Sequence, residues 1–129
     1  MAQIKIYGLK SSLAKHLPSL SDAIHAALVE ALSFPPDKKF QRFIGLEKSE
    51  FIFPPDRSDN YTIIEISMFA GRSTEAKKSL IRLLFTYIER DAGIAPHDVE
   101  ITITETPKQH WGIRGVCGDE LALGYKVDV

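Results

Sequence analysis

Hydrophobic and polar residues alternate at the start of the chain and then recur with helical spacing. In residues 3–8, Ile4 and Ile6 fall on one face of an extended segment, which predicts a first strand. The apolar residues that follow recur mostly at three- and four-residue intervals: Leu17, Leu20, Ile24, Ala27, Leu28 and Leu32. This spacing predicts a helix that begins near Pro18, because proline is tolerated in a first helical turn, and that stops at Phe34-Pro35-Pro36. A second strand is predicted at about 39–46.

The same order of elements returns in the second half of the chain. Residues 61–69, YTIIEISMF, are rich in β-branched and aromatic side chains and predict a third strand. Residues 74–91 predict a helix with an apolar stripe made of Leu80, Ile81, Leu84, Phe85 and Ile88. Gly93 is expected to end this helix, and the alternation VEITIT at 99–104 predicts a fourth strand.

The two halves indicate a duplicated β-α-β unit. The repeats cover residues 2–47 and 60–105, and an offset of about 60 residues places Pro36-Asp37-Lys38 opposite Pro96-His97-Asp98. We expect one α+β domain over residues 1–129, with a four-stranded sheet, parallel strands within each unit and two long helices on one face. The uncovered face predicts a homo-oligomer. The tail, 106–129, ends in the alternating YKVDV and is expected to form loops plus a short hairpin or an edge strand that could reach a neighbouring subunit.

Composition and charge narrow the classes of function. The net charge is −1, without a basic stripe to neutralise phosphates, so we expect no nucleic-acid partner. Neither a membrane-spanning run nor a signal peptide is apparent, which predicts a cytoplasmic protein without a membrane partner. The single cysteine, Cys117, is expected to behave as a small hydrophobic residue. Without a glycine-rich phosphate loop or a His/Cys cluster, no nucleotide, flavin or metal cofactor is expected.

Four stretches resemble the tautomerase superfamily and, within it, the malonate semialdehyde decarboxylase-like group. They are SDAIHAALVEALSFP, FAGRSTEAKK, GIAPHDVEITITE and HWGIRG, and the resemblance in order and spacing runs the whole length of the chain. The resemblance implies a homotrimer with active sites at subunit edges, each near the residue that follows the initiator methionine. It also implies a small carboxylate or 2-oxo acid as ligand, and tautomerase, decarboxylase or hydratase/dehalogenase chemistry.

The residue after Met1 departs from this family. Relatives have a proline there, whose secondary amine acts as general base or acid, whereas this chain has Ala2. Removal of Met1 would leave Ala2 with a primary α-amine of ordinary pKa, about 7.7–8.0, so that part of it is neutral at physiological pH. Catalysis through Ala2 is therefore weakened but remains possible.

Arg72 is the second candidate catalytic residue. It matches one of two arginines that hold the substrate carboxylate in relatives, while Ala70 stands at the other position. Arg72 also comes just before a predicted helix N-terminus, where free backbone N–H groups favour an anion. The alternative is a solvated arginine at a turn.

Three residues of the tail are candidates for substrate binding. By resemblance, Trp111 lines the pocket and Ile113 occupies a position that is aromatic in the decarboxylase. Arg114 could add positive charge to the pocket. For Trp111, an anchor at an oligomer interface is the alternative.

The first half adds three more candidates. Lys38 stands where the decarboxylase has an essential aspartate, and Asp37 lies beside it; for either residue a solvated charge at a turn is the alternative. His25 aligns with a histidine of the decarboxylase, and a structural side chain is its alternative.

Three functions are compatible with these residues. The first is an enzyme in which Arg72 holds a carboxylate and the Ala2 amine moves a proton. The second is a non-catalytic trimer that keeps an anion-binding pocket, since the proline and one arginine are missing. The third is a ferredoxin-like binding domain, which has the same order of elements.

Overall fold

A computed structural model describes residues 1–121, 127 and 129 of the chain. Its helices and strands, in chain order, are β1 (Ala2–Leu9), α1 (Lys10–Leu32), β2 (Gln41–Leu46), β3 (Thr62–Phe69), α2 (Thr74–Ala92), β4 (Val99–Thr106), β5 (Gly112–Ile113) and β6 (Val116–Cys117). Short 3₁₀ turns lie at Pro96–Asp98, Lys108–His110 and Gly118–Glu120. This order confirms the predicted repetition of strand, helix and strand.

The first four strands form one mixed sheet in the order β2-β1-β3-β4. β1 is parallel to β2 and β3 is parallel to β4, as predicted, and the two units meet where β1 and β3 pair antiparallel. This antiparallel pairing sets Ala2 opposite Met68. The start of the chain therefore lies beside the end of β3, next to the turn that leads into α2.

Both long helices pack on the same face of the sheet. Buried residues of β1, β3, α1 and α2 form one core that includes Ile6, Ile64, Leu28 and Leu84. Because successive side chains of a strand point to opposite faces, the neighbouring residues of these strands lie on the other face. The prediction of two helices on one face is confirmed.

α1 begins earlier than predicted. It starts at Lys10, and Pro18 lies inside it rather than near its first turn. Pro18 is exposed, whereas Leu13 and Leu20 on either side of it are buried. Packing along the whole length of the helix therefore outweighs the backbone hydrogen bond that proline cannot make. Leu17, expected in the apolar stripe, is instead 40% exposed.

α2 begins and ends as predicted, within one residue at its C-terminal end. The Ser73 side chain accepts a hydrogen bond from the Ala76 N–H and caps the first turn. Gly93 follows the helix with a φ of 69°, and its N–H donates to the Glu89 carbonyl. The cap at Ser73 fixes the backbone directly after Arg72.

The connector between β2 and β3 covers one end of the other sheet face. Phe51 and Tyr61 are buried there and stack with ring centroids 5.4 Å apart, and Phe53 lies against both. Arg57 extends this covering through an ion pair of 2.9 Å to Glu100 on β4. The sequence predicted a polar connector and a fully open face, so the face is less open than expected because aromatic residues of the connector fold onto it.

β5 and β6 form the short hairpin predicted for the tail. Most of the final YKVDV lies outside the described residues. Cys117 on β6 is exposed, which differs from the buried position typical of a small hydrophobic residue. Its thiol lies within 4.8 Å of the carboxylates of Asp119 and Glu120, which are exposed as well.

Candidate functional site

The N-terminus lies in a small apolar cluster, which we call the N-terminal cluster. Met1, Phe69 and Val127 are buried together, and Trp111 and Ile113 pack against them. The Phe69 N–H donates to the Met1 carbonyl over 3.1 Å. The Phe69 ring meets the Trp111 ring edge-on, with centroids 5.1 Å apart. Two predicted pocket residues therefore lie beside the start of the chain.

The sheet explains why the tail reaches this cluster. β3 ends at Phe69, and the next residue, Ala70, donates its N–H to the Thr106 carbonyl over 3.0 Å. The end of β4 thus runs beside the end of β3. A 3₁₀ turn then leads to Trp111, whose N–H donates to the Lys108 carbonyl over 3.1 Å. Residues far apart in sequence converge at one end of the sheet.

Arg72 is buried beside the N-terminal cluster. Only 5% of it is exposed, and its Nη1 donates to the Phe69 carbonyl over 3.1 Å. Its guanidinium carbon lies 5.4 Å from the centroid of the Phe34 ring, within range of a cation–π contact. This burial excludes the solvated turn arginine that the sequence left open.

The surroundings of the N-terminal amine favour its neutral form. Burial, together with the charges of Arg72 and Lys108, lowers the pKa of the Met1 α-amine from 8.0 to about 5. An amine with so low a pKa is unprotonated near pH 7 and has a free lone pair. Ala2, 1% exposed, is the next residue along this buried stretch.

Lys108 is a second cation at the site, and the sequence did not indicate it. It is half-buried and begins the 3₁₀ turn before Trp111. The Trp111 N–H donates to the Lys108 carbonyl and closes this turn. The charge of Lys108 acts on the N-terminal amine together with that of Arg72. Lys108 therefore supplies positive charge at a site where Ala70 supplies none.

An ion pair holds the turn that carries Arg72. Lys77 Nζ on α2 lies 2.6 Å from Glu105 Oε1 on β4. Burial opposes ionisation of Glu105, but Lys77 and the backbone N–H groups of Gly71 and Arg72 outweigh it and lower the pKa of this carboxyl. The Glu105 carboxylate thus connects β4 both to the turn at Gly71 and Arg72 and to α2 through Lys77.

His25, Asp37 and Lys38 lie at the turn after α1. His25 Nε2 makes a hydrogen bond of 2.7 Å with the Pro36 carbonyl, which gives this histidine a structural role. Asp37 is exposed and Lys38 is half-buried. Phe34, at the start of the same segment, belongs to the main core and lies against the Arg72 guanidinium.

Arg114 lies exposed at the turn between β5 and β6, with a φ of 51°. A separate open groove of about 410 Å³ follows the paired edge of β1 and β2. Its lining includes Gln3, Phe40 and Arg42, and none of its lining residues belongs to the N-terminal cluster. The groove is therefore a different surface from the site at the N-terminus.

The site combines a neutral amine, two cations and apolar walls. Such a set suits an anionic organic molecule rather than a metal cation, since the amine can move a proton while the cations hold negative charge. The described residues thus define a duplicated β-α-β protein in which an amine, two cations and apolar side chains meet at the N-terminus. None of the helices in the described part of the chain combines the length and apolar composition needed to cross a bilayer.

Comparison with known proteins agrees with this class. The family model described as tautomerase enzyme matches residues 38–114. The chain is 32% identical over 100 residues to the probable tautomerase YusQ of Bacillus subtilis (strain 168), which covers 74% of this chain and 79% of that protein. The chain therefore belongs to the tautomerase superfamily.

Solved structures give the same result. A malonate semialdehyde decarboxylase inhibited by 3-bromopropiolate is 28% identical, with a TM-score of 0.81 over 94% of this chain and 98% of the other. A fused 4-OT symmetric trimer has a TM-score of 0.78 over 91% of this chain and 96% of the other, at 18% identity. The similarity to the fused 4-OT is one of fold. The similarity to the decarboxylase agrees with the resemblance to the decarboxylase-like group.

Proposed function

We propose that the protein binds a small carboxylate or 2-oxo acid at the N-terminal cluster and, after removal of Met1, moves a proton through the Ala2 α-amine. The reaction class is that of a tautomerase (isomerase), and decarboxylase or hydratase/dehalogenase chemistry would use the same groups. The observation that carries this proposal is the setting of the chain start, which is buried beside Arg72, Trp111 and Ile113. Burial and the charges of Arg72 and Lys108 lower the pKa of the Met1 α-amine to about 5 there, and they should act in the same direction on the Ala2 amine.

The proposed chemistry is keto–enol conversion of a 2-oxo acid. The neutral Ala2 amine takes the proton of an enol hydroxyl and leaves an enolate with its negative charge on oxygen. The oxygen electron pair then forms the carbonyl while the carbon–carbon double bond takes a proton from the Ala2 ammonium, which returns the amine to its neutral form. Arg72 holds the carboxylate, and its charge stabilises the negative oxygen that develops between the two proton transfers.

The remaining candidates have supporting roles in this proposal. Trp111 and Ile113 form the apolar wall that excludes water. Lys38 and Asp37 add charge from the turn behind Phe34, and His25 fixes that turn. Arg114 extends the positive charge at the rim.

Keto–enol conversion of phenylenolpyruvate tests this function. We expect turnover by the Met1-free protein and faster turnover by Ala2→Pro, whose secondary amine is the more basic. The burial and the two cations that act on the Met1 amine should also lower the pKa of the Ala2 amine below its ordinary value. Because the base acts only when unprotonated, kcat/KM should change little between pH 8 and pH 7 and fall at lower pH. A base with an ordinary pKa would instead lose most of its rate between pH 8 and pH 7.

The control for this assay is Arg82→Ala, which removes an exposed arginine of α2. Its rate should match that of the unchanged protein. The proposal fails if neither the protein nor Ala2→Pro shows turnover above the uncatalysed rate.

A non-catalytic anion-binding protein is the second candidate. Ala2, Ala70 and Lys38 favour it, because each replaces a residue that the decarboxylase-like relatives use. A carboxylate that binds with micromolar affinity but is not converted would support this candidate. Turnover at neutral pH would eliminate it.

We also propose that the chain forms a homotrimer. One structural neighbour is a fused 4-OT symmetric trimer. In the described part of the chain, the sheet face opposite the helices carries the connector at one end and the N-terminal cluster against Phe69 at the other, while Gln3 and Glu65 between them are exposed. Light scattering of the purified protein should give the mass of three chains, and the mass of a single chain would overturn the proposal.

A further inference from the structure

Met1 fills a space with two chemically different ends. Its side chain is buried against Phe69 and Val127, with Trp111 and Ile113 packed around them, and only 7% of Met1 is exposed. Its α-amine lies at the other end, within the field of two cations. Met1 thus shows the shape of molecule that the N-terminal cluster accepts. Such a molecule has an ionisable group at one end and an unbranched chain at the other.

The amine end of this space is better suited to an anion than to the ammonium of Met1. Arg72 and Lys108 both disfavour a positive charge there, and burial adds to their effect. The same two cations would attract a carboxylate, and a guanidinium binds a carboxylate through charge-assisted hydrogen bonds. When Met1 is removed, its place becomes available to a molecule of the opposite charge.

Trp111 provides a neutral donor in the same cluster. Its indole Nε1 is buried and has no hydrogen-bond partner among the described residues. A buried donor without an acceptor costs about 1–3 kcal/mol, which a ligand oxygen would recover. The cluster therefore offers a buried N–H group besides its two cations.

We infer that, once Met1 has been removed, this space binds an unbranched aliphatic monocarboxylate or its 2-oxo derivative. The carboxylate lies between Arg72 and Lys108, and the chain follows the path of the Met1 side chain along Phe69, Trp111 and Ile113. A ligand oxygen accepts a hydrogen bond from the Trp111 indole. This inference deepens the proposed function and rests on the same site, but it concerns ligand shape rather than turnover.

The apolar end sets both the length and the charge of the ligand. Each methylene that enters the cluster should raise affinity about fourfold, until the chain reaches the length of the methionine side chain. A second carboxylate at the far end would have to enter an apolar region without a partner and should weaken binding at least about tenfold. Dicarboxylates are therefore expected to bind poorly.

Calorimetric titration of the Met1-free protein tests this inference. The ligands are butanoate, hexanoate, octanoate and adipate, the last having the length of hexanoate with a carboxylate at each end. Affinity should rise from butanoate to hexanoate, change little at octanoate, and be at least about tenfold weaker for adipate. Equal affinity across the three monocarboxylates, or tighter binding of adipate, would overturn the inference.

A variant of the hairpin sharpens the test. Ile113→Lys puts a cation at the apolar end, so adipate should then bind more tightly than hexanoate. Val116→Lys is the matched control, because Val116 pairs with Ile113 across the hairpin but is 39% exposed and lies outside the cluster. The control should keep the preference for hexanoate, and a reversal in both variants would contradict the assigned path.

The outcomes separate the inference from the proposed function. Binding that depends on chain length without conversion of phenylenolpyruvate would remove the enzymatic proposal and leave the ligand class intact. Conversion of phenylenolpyruvate together with equal affinities for butanoate, hexanoate and octanoate would remove the inferred ligand shape and leave the enzymatic proposal intact.

Discussion

Replacing Arg72 by alanine is expected to weaken carboxylate binding about 100-fold and to lower kcat/KM by at least as much. The guanidinium is buried at the N-terminal cluster, so its loss removes a charge-assisted interaction in a place that excludes water. Removing one member of a buried, hydrogen-bonded charge pair typically costs about 2–5 kcal/mol. Titration with hexanoate and steady-state kinetics with phenylenolpyruvate measure the two effects.

Arg72 also contacts Phe69 and Phe34, so its replacement affects local packing. Arg72→Lys is the matched variant, because it keeps the charge and loses the planar guanidinium. It should retain more affinity than Arg72→Ala, while thermal unfolding shows whether each variant still folds. A folded Arg72→Ala protein that binds hexanoate within twofold of the unchanged protein would contradict the assigned role.

Retention of Met1 is expected to abolish turnover and to weaken hexanoate binding about 10- to 100-fold. In that form the nitrogen of Ala2 belongs to a peptide bond and cannot act as a base. The ligand must also displace the buried Met1 side chain, and exposing such a side chain costs about 1.5–3 kcal/mol. The form that keeps Met1 can be produced by inhibiting methionine aminopeptidase during expression, and both forms can be titrated side by side.

The two N-terminal forms should differ little in fold. Loss of Met1 removes the hydrogen bond that the Phe69 N–H donates to the Met1 carbonyl, but β1 begins at Ala2 and is kept whole. Circular dichroism and light scattering are the controls. Equal affinity and equal rates in the two forms would show that the site does not include the N-terminus.

The strands and the helix in which apolar residues recur at regular intervals could be predicted from the sequence. The strands around Ile64 and Ile101 alternate along their length, and α2 carries both a serine cap and a terminal glycine. The start of α1 could not be predicted, because the segment before Pro18 is mostly polar and a proline usually marks a helix start. Burial of Leu13 in the tertiary fold outweighs that local signal.

The candidate site could be predicted in part. Ala2, Trp111 and Ile113 are candidates by resemblance, and Arg72 is a candidate both by resemblance and by its place before a helix. Lys108 could not be found, because its proximity to the N-terminus depends on the pairing of β1 with β3 and of β3 with β4. The packing of the aromatic connector could not be predicted for a similar reason, since Phe51 is buried in a cluster that brings together residues of three strands, Leu9, Leu46 and Ile63.

The central claim is that the Ala2 α-amine, exposed by removal of Met1, is the reactive group of this site. The mass of the intact protein, expressed without a tag, tests this claim most directly. We predict a mass smaller than that of the full sequence by one methionine residue, with alanine at the N-terminus. A protein that retains Met1 throughout would contradict any mechanism through Ala2.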